Sequence, residues 1–186
     1  MASAQLTKRA LEDSLKRLLL EKPLPKITIS DLTEDCGVSR MTFYYHFKDI
    51  YDLVEWACEE DAARALAGNR TADTWETGLL NIYLAVRDNK PFIMNVYRNV
   101  SAERVERFLH PAVRDLIEGV VEEHSRGRRV AGADMEFISD FFAHAFIGLM
   151  LDWVAGGMRE DPKTIVARIA KVCEGQIDAA LARFEM

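Results

Sequence analysis

Gly37-Val38-Ser39 is a three-residue break between two short helical segments, and it constrains the fold more than any other feature of the chain. Before it, Asp31 to Cys36 reads as one short helix; after it, Arg40 to about Phe47 reads as a second. Ser39 suits the N-cap, because its hydroxyl can accept from the free backbone N–H groups of the next turn. Gly37 supplies the backbone freedom that a sharp interhelical turn needs. Two helices joined this closely form a helix-turn-helix, whose second helix can lie in the major groove of DNA.

The second helix carries the chemistry. Phe43 and Phe47 stand four residues apart and share one face, with Val38 beside them, so this face is expected to be buried. Arg40, Met41, Thr42, Tyr44, Tyr45 and Lys48 then point largely outward. Hydroxyls and cations in that set suit phosphate contacts, and the helix's first residues suit base edges. Aromatic residues at helical spacing are often plain core. The coincidence of turn, cap and polar groups favours DNA.

Helical periodicity covers nearly all the rest. Leu11, Leu15, Leu18 and Leu19 predict a first helix from about Thr7 to Glu21, stopped by Pro23 and Pro25. Asp49 can cap a fourth helix through about Leu66, with Leu53, Trp56 and Ala57 on one stripe. Gly68-Asn69-Arg70-Thr71 breaks the pattern and marks a boundary. Beyond it, helices are expected at 74–88, 91–100, 101–124 (interrupted or bent at Pro111), 134–154 and 162–184. The expectation is an all-α chain of about nine helices. Residues 1–50 form a helix-turn-helix domain, 49–66 a linker helix, and 70–186 a second helical domain for dimerisation and sensing.

Composition narrows the class. With 49% hydrophobic and 29% charged residues, the chain suits a soluble globular protein. No run of about 18 apolar residues appears, so no membrane span is expected. The first residues carry charges inside their apolar pattern, unlike a secretory signal. Three scattered cysteines make no disulfide framework and fit a reducing cytoplasm. The net charge of -6 looks wrong for a DNA binder until it is divided. Residues 1–50 hold eight Lys/Arg against seven Asp/Glu, about +1, and 51–186 hold sixteen against twenty-three, about -7. The acidic excess lies outside the reading head. The head's own charge is modest, so useful affinity is expected only from a pair of heads and should fall steeply with salt.

The segment GVSRMTFYYHFKDIYDLVEW resembles the signature of the tetracycline-repressor (TetR) family of bacterial transcription regulators. The resemblance lies in the Gly37-Val38-Ser39 turn, in Thr42-Phe43-Tyr44-Tyr45-His46-Phe47-Lys48, and in the apolar helix from Asp49 through Trp56. Thr28-Ile29-Ser30-Asp31-Leu32 resembles the family's helix-opening segment. By that resemblance Thr28, Thr42, Tyr44, His46 and Lys48 fall on phosphate-contact positions. Arg40, Met41 and Tyr45 fall where the family reads bases, and Met41 departs from the small residue common there. The resemblance also implies a homodimer, with the last two helices paired across a two-fold axis.

The helix at 134–154 is apolar on nearly all sides, which implies burial on nearly all sides. Phe142, Phe146, Met150 and Trp153, with Ile169, Val172 and Ile177 of the final helix, are the expected seam. A merely central helix in a monomer is the alternative. Candidate effector-pocket residues are Trp75, Tyr83, Met94, Tyr97, Phe108, Phe141 and His144, with Phe92 nearby in sequence. The short second part also resembles that of regulators of dihydroxyacetone-kinase operons, which implies a protein co-regulator as the alternative to a small-molecule effector. The expected partners are therefore a double-stranded operator, a second copy of the chain, and an effector or co-regulator, with no membrane. Repression is the family's usual mode, and activation is the alternative.

Enzyme readings find little support. There is no glycine-rich phosphate loop, Cys-x-x-Cys, His-Glu-x-x-His or Gly-x-Ser-x-Gly. The four histidines and three cysteines lack metal-ligand spacing, and no cofactor is expected. Ser125-Arg126-Gly127-Arg128-Arg129 reads as a solvated loop before an anion site. A helical protein-interaction module that does not bind DNA is the remaining rival, and the low basic charge supports it.

Overall fold

The structure, a computed structural model, describes residues 2–186, and every described regular element is helical. The helices are α1 (Ala2–Glu21), α2 (Ile29–Cys36), α3 (Arg40–His46), α4 (Ile50–Leu66), α5 (Trp75–Asp88), α6 (Lys90–Asn99), α7 (Ala102–His124), α8 (Gly132–Ala155), α9 (Pro162–Cys173) and α10 (Gln176–Phe184). Leu24–Lys26 adds one 3₁₀ turn. The all-α expectation holds.

At Gly175 and at Pro111 the structure refines the periodicity reading. The terminal helix expected at 162–184 is two helices, because Gly175 sits in the left-handed region at φ 67° and ends the hydrogen-bonded run. Pro111 does not interrupt α7, which runs unbroken from 102 to 124. Pro111 is exposed, as is Arg107 four residues before it, so water can meet the carbonyl that loses its donor.

The chain divides into two compact units. One comprises the residues up to Glu60 together with Asn89–Phe108; the other comprises Asp61–Asp88 and Leu109–Met186. This division is not linear along the sequence. α6 and the start of α7 return to the amino-terminal unit, and the second unit begins at Asp61, ahead of the break at Gly68.

In the amino-terminal unit, Leu11, Leu15 and Leu19 recur every four residues on α1 and are all buried. α1 packs on α2, α3 and α6, while α2 packs on α3. Ser14 is fully buried, and its hydroxyl donates to the Leu32 carbonyl at 3.3 Å. Asn95 of α6 ties the connection between α1 and α2. Its Oδ1 accepts from Leu24 N at 3.0 Å, and its Nδ2 donates to the Leu19 carbonyl at 3.2 Å. No periodicity signal could have found that tie, because its ends lie 71 and 76 residues apart in sequence.

In the other unit, α5 packs on α9 and α8 packs on α10. Leu79, Ile82 and Tyr83 of α5, Leu116 and Ile117 of α7, and Ile147 of α8 form the dry centre. Tyr83 is fully buried, 5.1 Å ring to ring from Trp153. Its hydroxyl has no hydrogen-bond partner among the described residues, and burial pushes it well above the ordinary tyrosine range. Trp153 Nε1 donates to the Glu160 carbonyl at 2.9 Å and fastens the end of α8 to the loop before α9.

α8 is long and apolar enough, by length and composition, to cross a membrane, with a mean hydropathy of 1.4 over its best window. Half of that window is buried inside the protein, as expected of a core helix in a globular unit.

Candidate nucleic-acid interface

The reading head is assembled from local chemistry. Thr28 caps α2 reciprocally: Asp31 N donates to Thr28 Oγ1 at 3.1 Å, and Thr28 N donates to Asp31 Oδ2 at 2.7 Å. The cap starts α2 at Ile29, two residues earlier than periodicity indicates. Lys22 Nζ lies 2.8 Å from Asp31. Lys22 and the two Thr28 donors hold the Asp31 carboxyl at a pKa of about 2, against an ordinary 3.8.

That shift has a sign. A carboxylate with a depressed folded-state pKa stabilises the fold above its unfolded value, and the contribution is lost as pH falls from there through the folded value. Acid titration of the backbone amides of α2 is therefore expected to show the cap loosening between about pH 4 and pH 2. In Asp31→Asn the same amides should change less over that interval, and identical profiles would remove Asp31 from the account.

Gly37 ends α2 in the left-handed region at φ 71°, with its N–H donating to Thr33 O. Ser39 then caps α3: its Oγ accepts from Thr42 N at 3.0 Å and lies 2.8 Å from Thr42 Oγ1. Phe43 is fully buried and Phe47 nearly so, their rings 5.9 Å apart, and Phe47 packs against Trp56 at 5.7 Å. Lys8 lies over both of the latter rings. Asp49 caps α4 by accepting from Asp52 N at 2.9 Å, and Asp52 accepts from Lys48 N at 2.8 Å. Each end of α3 is thereby pinned.

What α3 presents to solvent matches the outward set. Met41 is 82% exposed, Tyr45 83% and Tyr44 54%, with Arg40 and Lys48 also exposed. Thr42 and His46 are half-buried, while Thr28 and Ser39 are exposed at their caps. Eight of the nine side chains named from the sequence thus lie on or beside α3, and the ninth, Thr28, caps α2. Large apolar and aromatic groups held in water on a rigid helix point to a partner surface.

The expected sensing residues are divided between the two units. Met94, Tyr97 and Phe108 belong to the amino-terminal unit; Trp75, Tyr83, Phe141 and His144 belong to the other. Tyr83 is buried, whereas Phe141 and His144 face solvent. Trp75 stacks on Phe146 and borders a groove of about 670 Å³ with Val120, His124, Cys173 and Ile177. A second groove, about 520 Å³ between α8 and α9, is lined by Phe146, Leu149, Trp153, Ile165, Ile169 and Val172. Aromatic residues spread over several helices carry no sequence signal of which ones converge.

Of the residues expected at a subunit seam, Phe142, Phe146, Met150, Trp153 and Ile169 are buried within their own subunit, while Val172 is 74% exposed and Ile177 half-buried. The exposed apolar stripe of α8 lies one residue back along each turn: Phe137, Phe141, Ala145 and Leu149. α8 is apolar all round, so periodicity alone could not tell its inward face from its outward one. Among the described residues, no group of three or more His, Cys, Asp or Glu is placed to hold a metal.

Fold and head together define a helix-turn-helix transcription regulator rather than an enzyme. A family profile described as "Bacterial regulatory proteins, tetR family" matches residues 13–57, and one described as "Transcriptional regulator C-terminal region" matches 73–175. The chain belongs to the TetR family of bacterial transcription regulators. It is similar to the HTH-type dhaKLM operon transcriptional activator DhaS of Lactococcus lactis subsp. lactis (strain IL1403), 22% identical over 159 residues and 84% of each chain. A solved structure of the dihydroxyacetone kinase operon activator DhaS superposes with a TM-score of 0.70, at 19% identity, over 97% of this chain and 98% of that one. NalD, the secondary repressor of the MexAB-OprM multidrug efflux pump in Pseudomonas aeruginosa, superposes at 0.56 with 16% identity over 99% and 98%. At these identities the structural likeness speaks to the fold.

Proposed function

We propose that this regulator acts in the cytoplasm as a homodimer on a near-palindromic operator, one α3 helix in each of two successive major grooves. The observation that carries the reading is the exposure of Met41, Tyr44 and Tyr45 on a helix pinned at both ends. Arg40, Met41 and Tyr45 read bases, while Thr28, Thr42, Tyr44, His46 and Lys48 hold phosphates. A two-fold dimer would set its two reading helices about 34–36 Å apart, one turn of the duplex. The exposed stripe on α8 and Val172 on α9 supply the apolar face for the second copy. Binding of an effector moves the dimer between operator-competent and operator-incompetent states through its different affinity for the two, and repression by operator occupancy is the output.

A second reading, activation together with a protein partner, is favoured by the likeness to DhaS, a named activator. Reporter expression from the selected operator separates the two: deletion of the regulator raises it under repression and lowers it under activation.

Selection of bound sequences from random duplexes, followed by titration of the winner, tests the main reading. Lys48→Ala is expected to weaken binding to all duplexes alike and to shrink the salt slope by about one. Arg40→Ala is expected to cost about 1–3 kcal/mol on the selected site and to relax preference at particular base pairs. Retention that is insensitive to salt and sequence would refute the reading and favour a protein-interaction module.

A further inference from the structure

Lys22-Pro23-Leu24-Pro25 follows α1 and leaves its last turn short of a donor. In a continuing helix the Leu19 carbonyl accepts from the amide four residues on. Here that amide belongs to Pro23, which has no N–H. Leu24 has left the helix as well, and its side chain is buried at 2% exposure. A carbonyl and an N–H thus need partners from elsewhere, because backbone groups taken unpaired from water are costly.

Asn95 of α6, in the same unit, serves both. Its Nδ2 donates to Leu19 O at 3.2 Å and, at the longer distance of 3.5 Å, to Lys22 O. Its Oδ1 accepts from Leu24 N at 3.0 Å and from Asn99 Nδ2 at 3.0 Å. A backbone carbonyl only accepts and a backbone N–H only donates, so these partners fix which end of the amide is which. Both donors and both lone pairs of the side chain are in use. α6 therefore caps α1 from outside, at the place where proline removed the local donor.

The path of the chain beyond the cap leads to the reading head. Leu24 opens the 3₁₀ turn, in which Ile27 N donates to Leu24 O at 3.1 Å, and the next residue is Thr28, the cap of α2. Lys22, whose carbonyl Asn95 holds, reaches Asp31 of that same cap with its ammonium. The turn is fastened by α6 at one end and by the first turn of α2 at the other. We propose that Asn95 is a positioning residue for DNA recognition: it replaces the donor that Pro23 lacks and so fixes the path by which α1 delivers Thr28 and α2. The proposal rests on the operator-binding reading above, and Asn95 itself touches no DNA.

Asn95→Leu keeps a similar side-chain size and removes all four of these bonds. In the full chain, amide exchange followed by NMR is expected to quicken at Leu24 by about tenfold or more, beyond any change at the centre of α1. Affinity for the selected operator should fall by about fivefold or more at an unchanged salt slope, because no phosphate contact is lost. A double-mutant cycle with Pro23→Ala separates capping from packing, since that change returns an N–H to the chain. The effect of Asn95→Leu on operator affinity should be at least halved in the Pro23→Ala background. The double variant also provides a folded protein should Asn95→Leu alone not fold. Equal effects in the two backgrounds, or operator affinity untouched by Asn95→Leu, overturn the proposal. A wild-type chain that selects no operator is a different failure: the operator reading falls, and the positioning role falls with it.

Discussion

Phe141→Glu is expected to leave each subunit folded and to leave it alone in solution. Phe141 is 64% exposed on its own chain, so the exchange opens no cavity in the core. A two-fold interface presents the same patch from both copies, so one substitution introduces two carboxylates into a shared apolar seam. Burying those charges without partners costs several kcal/mol, enough to dissolve a dimer of ordinary strength. Operator affinity should fall with it by about 10²–10⁴, because two linked heads bind far more tightly than one. Sedimentation and operator titration on the same preparation measure both effects. A Phe141→Glu protein that remains dimeric would remove this face of α8 from the interface. Met150→Glu is the counterpart. Met150 is 1% exposed within its own subunit, so that change should unfold the chain rather than split a dimer.

Phe43→Ala should destabilise the amino-terminal unit by about 3–5 kcal/mol, the cost of emptying a fully buried phenylalanine site. The ring contacts Tyr44 and Phe47 at 5.7 and 5.9 Å, so its loss also frees α3 from the face that aims it. Urea titration followed by circular dichroism reads the stability, and DNA retention should vanish in parallel. The same measurements on Tyr45→Ala are expected to dissociate the two properties. Tyr45 is 83% exposed, so stability should stay within about 0.5 kcal/mol while operator binding weakens. Equal effects from the two substitutions would mean that α3 is not divided into a buried and a reading face.

These contrasts also show what the sequence could and could not disclose. The reading head was legible because its determinants are local. Ser39 caps its own turn, Gly37 takes the one backbone region other residues avoid, and Phe43 and Phe47 are a helical pair. Thr28 was singled out by resemblance, and the structure adds that it caps α2 with Asp31. Beyond residue 60, the informative signals are long-range or degenerate. α8 offers apolar groups on every side, so the residues assigned to a seam were mostly the subunit's own centre. Asn95 acts on backbone groups more than seventy positions away, and the edge-to-face contact of His110 with His144 spans two helices. Neither leaves a periodic trace. Gly175 lies inside the helix that periodicity expects at 162–184 and takes the left-handed conformation that divides it in two.

The chain passes between its two units at Glu60–Asp61, Asp88–Asn89 and Phe108–Leu109, and the first and last of these lie in the middle of α4 and α7. α7 itself is an unbroken helix of 23 residues, about 34 Å of hydrogen-bonded rod, so a protease would have to unwind it before cutting there, whereas the Asp88–Asn89 junction falls between two helices.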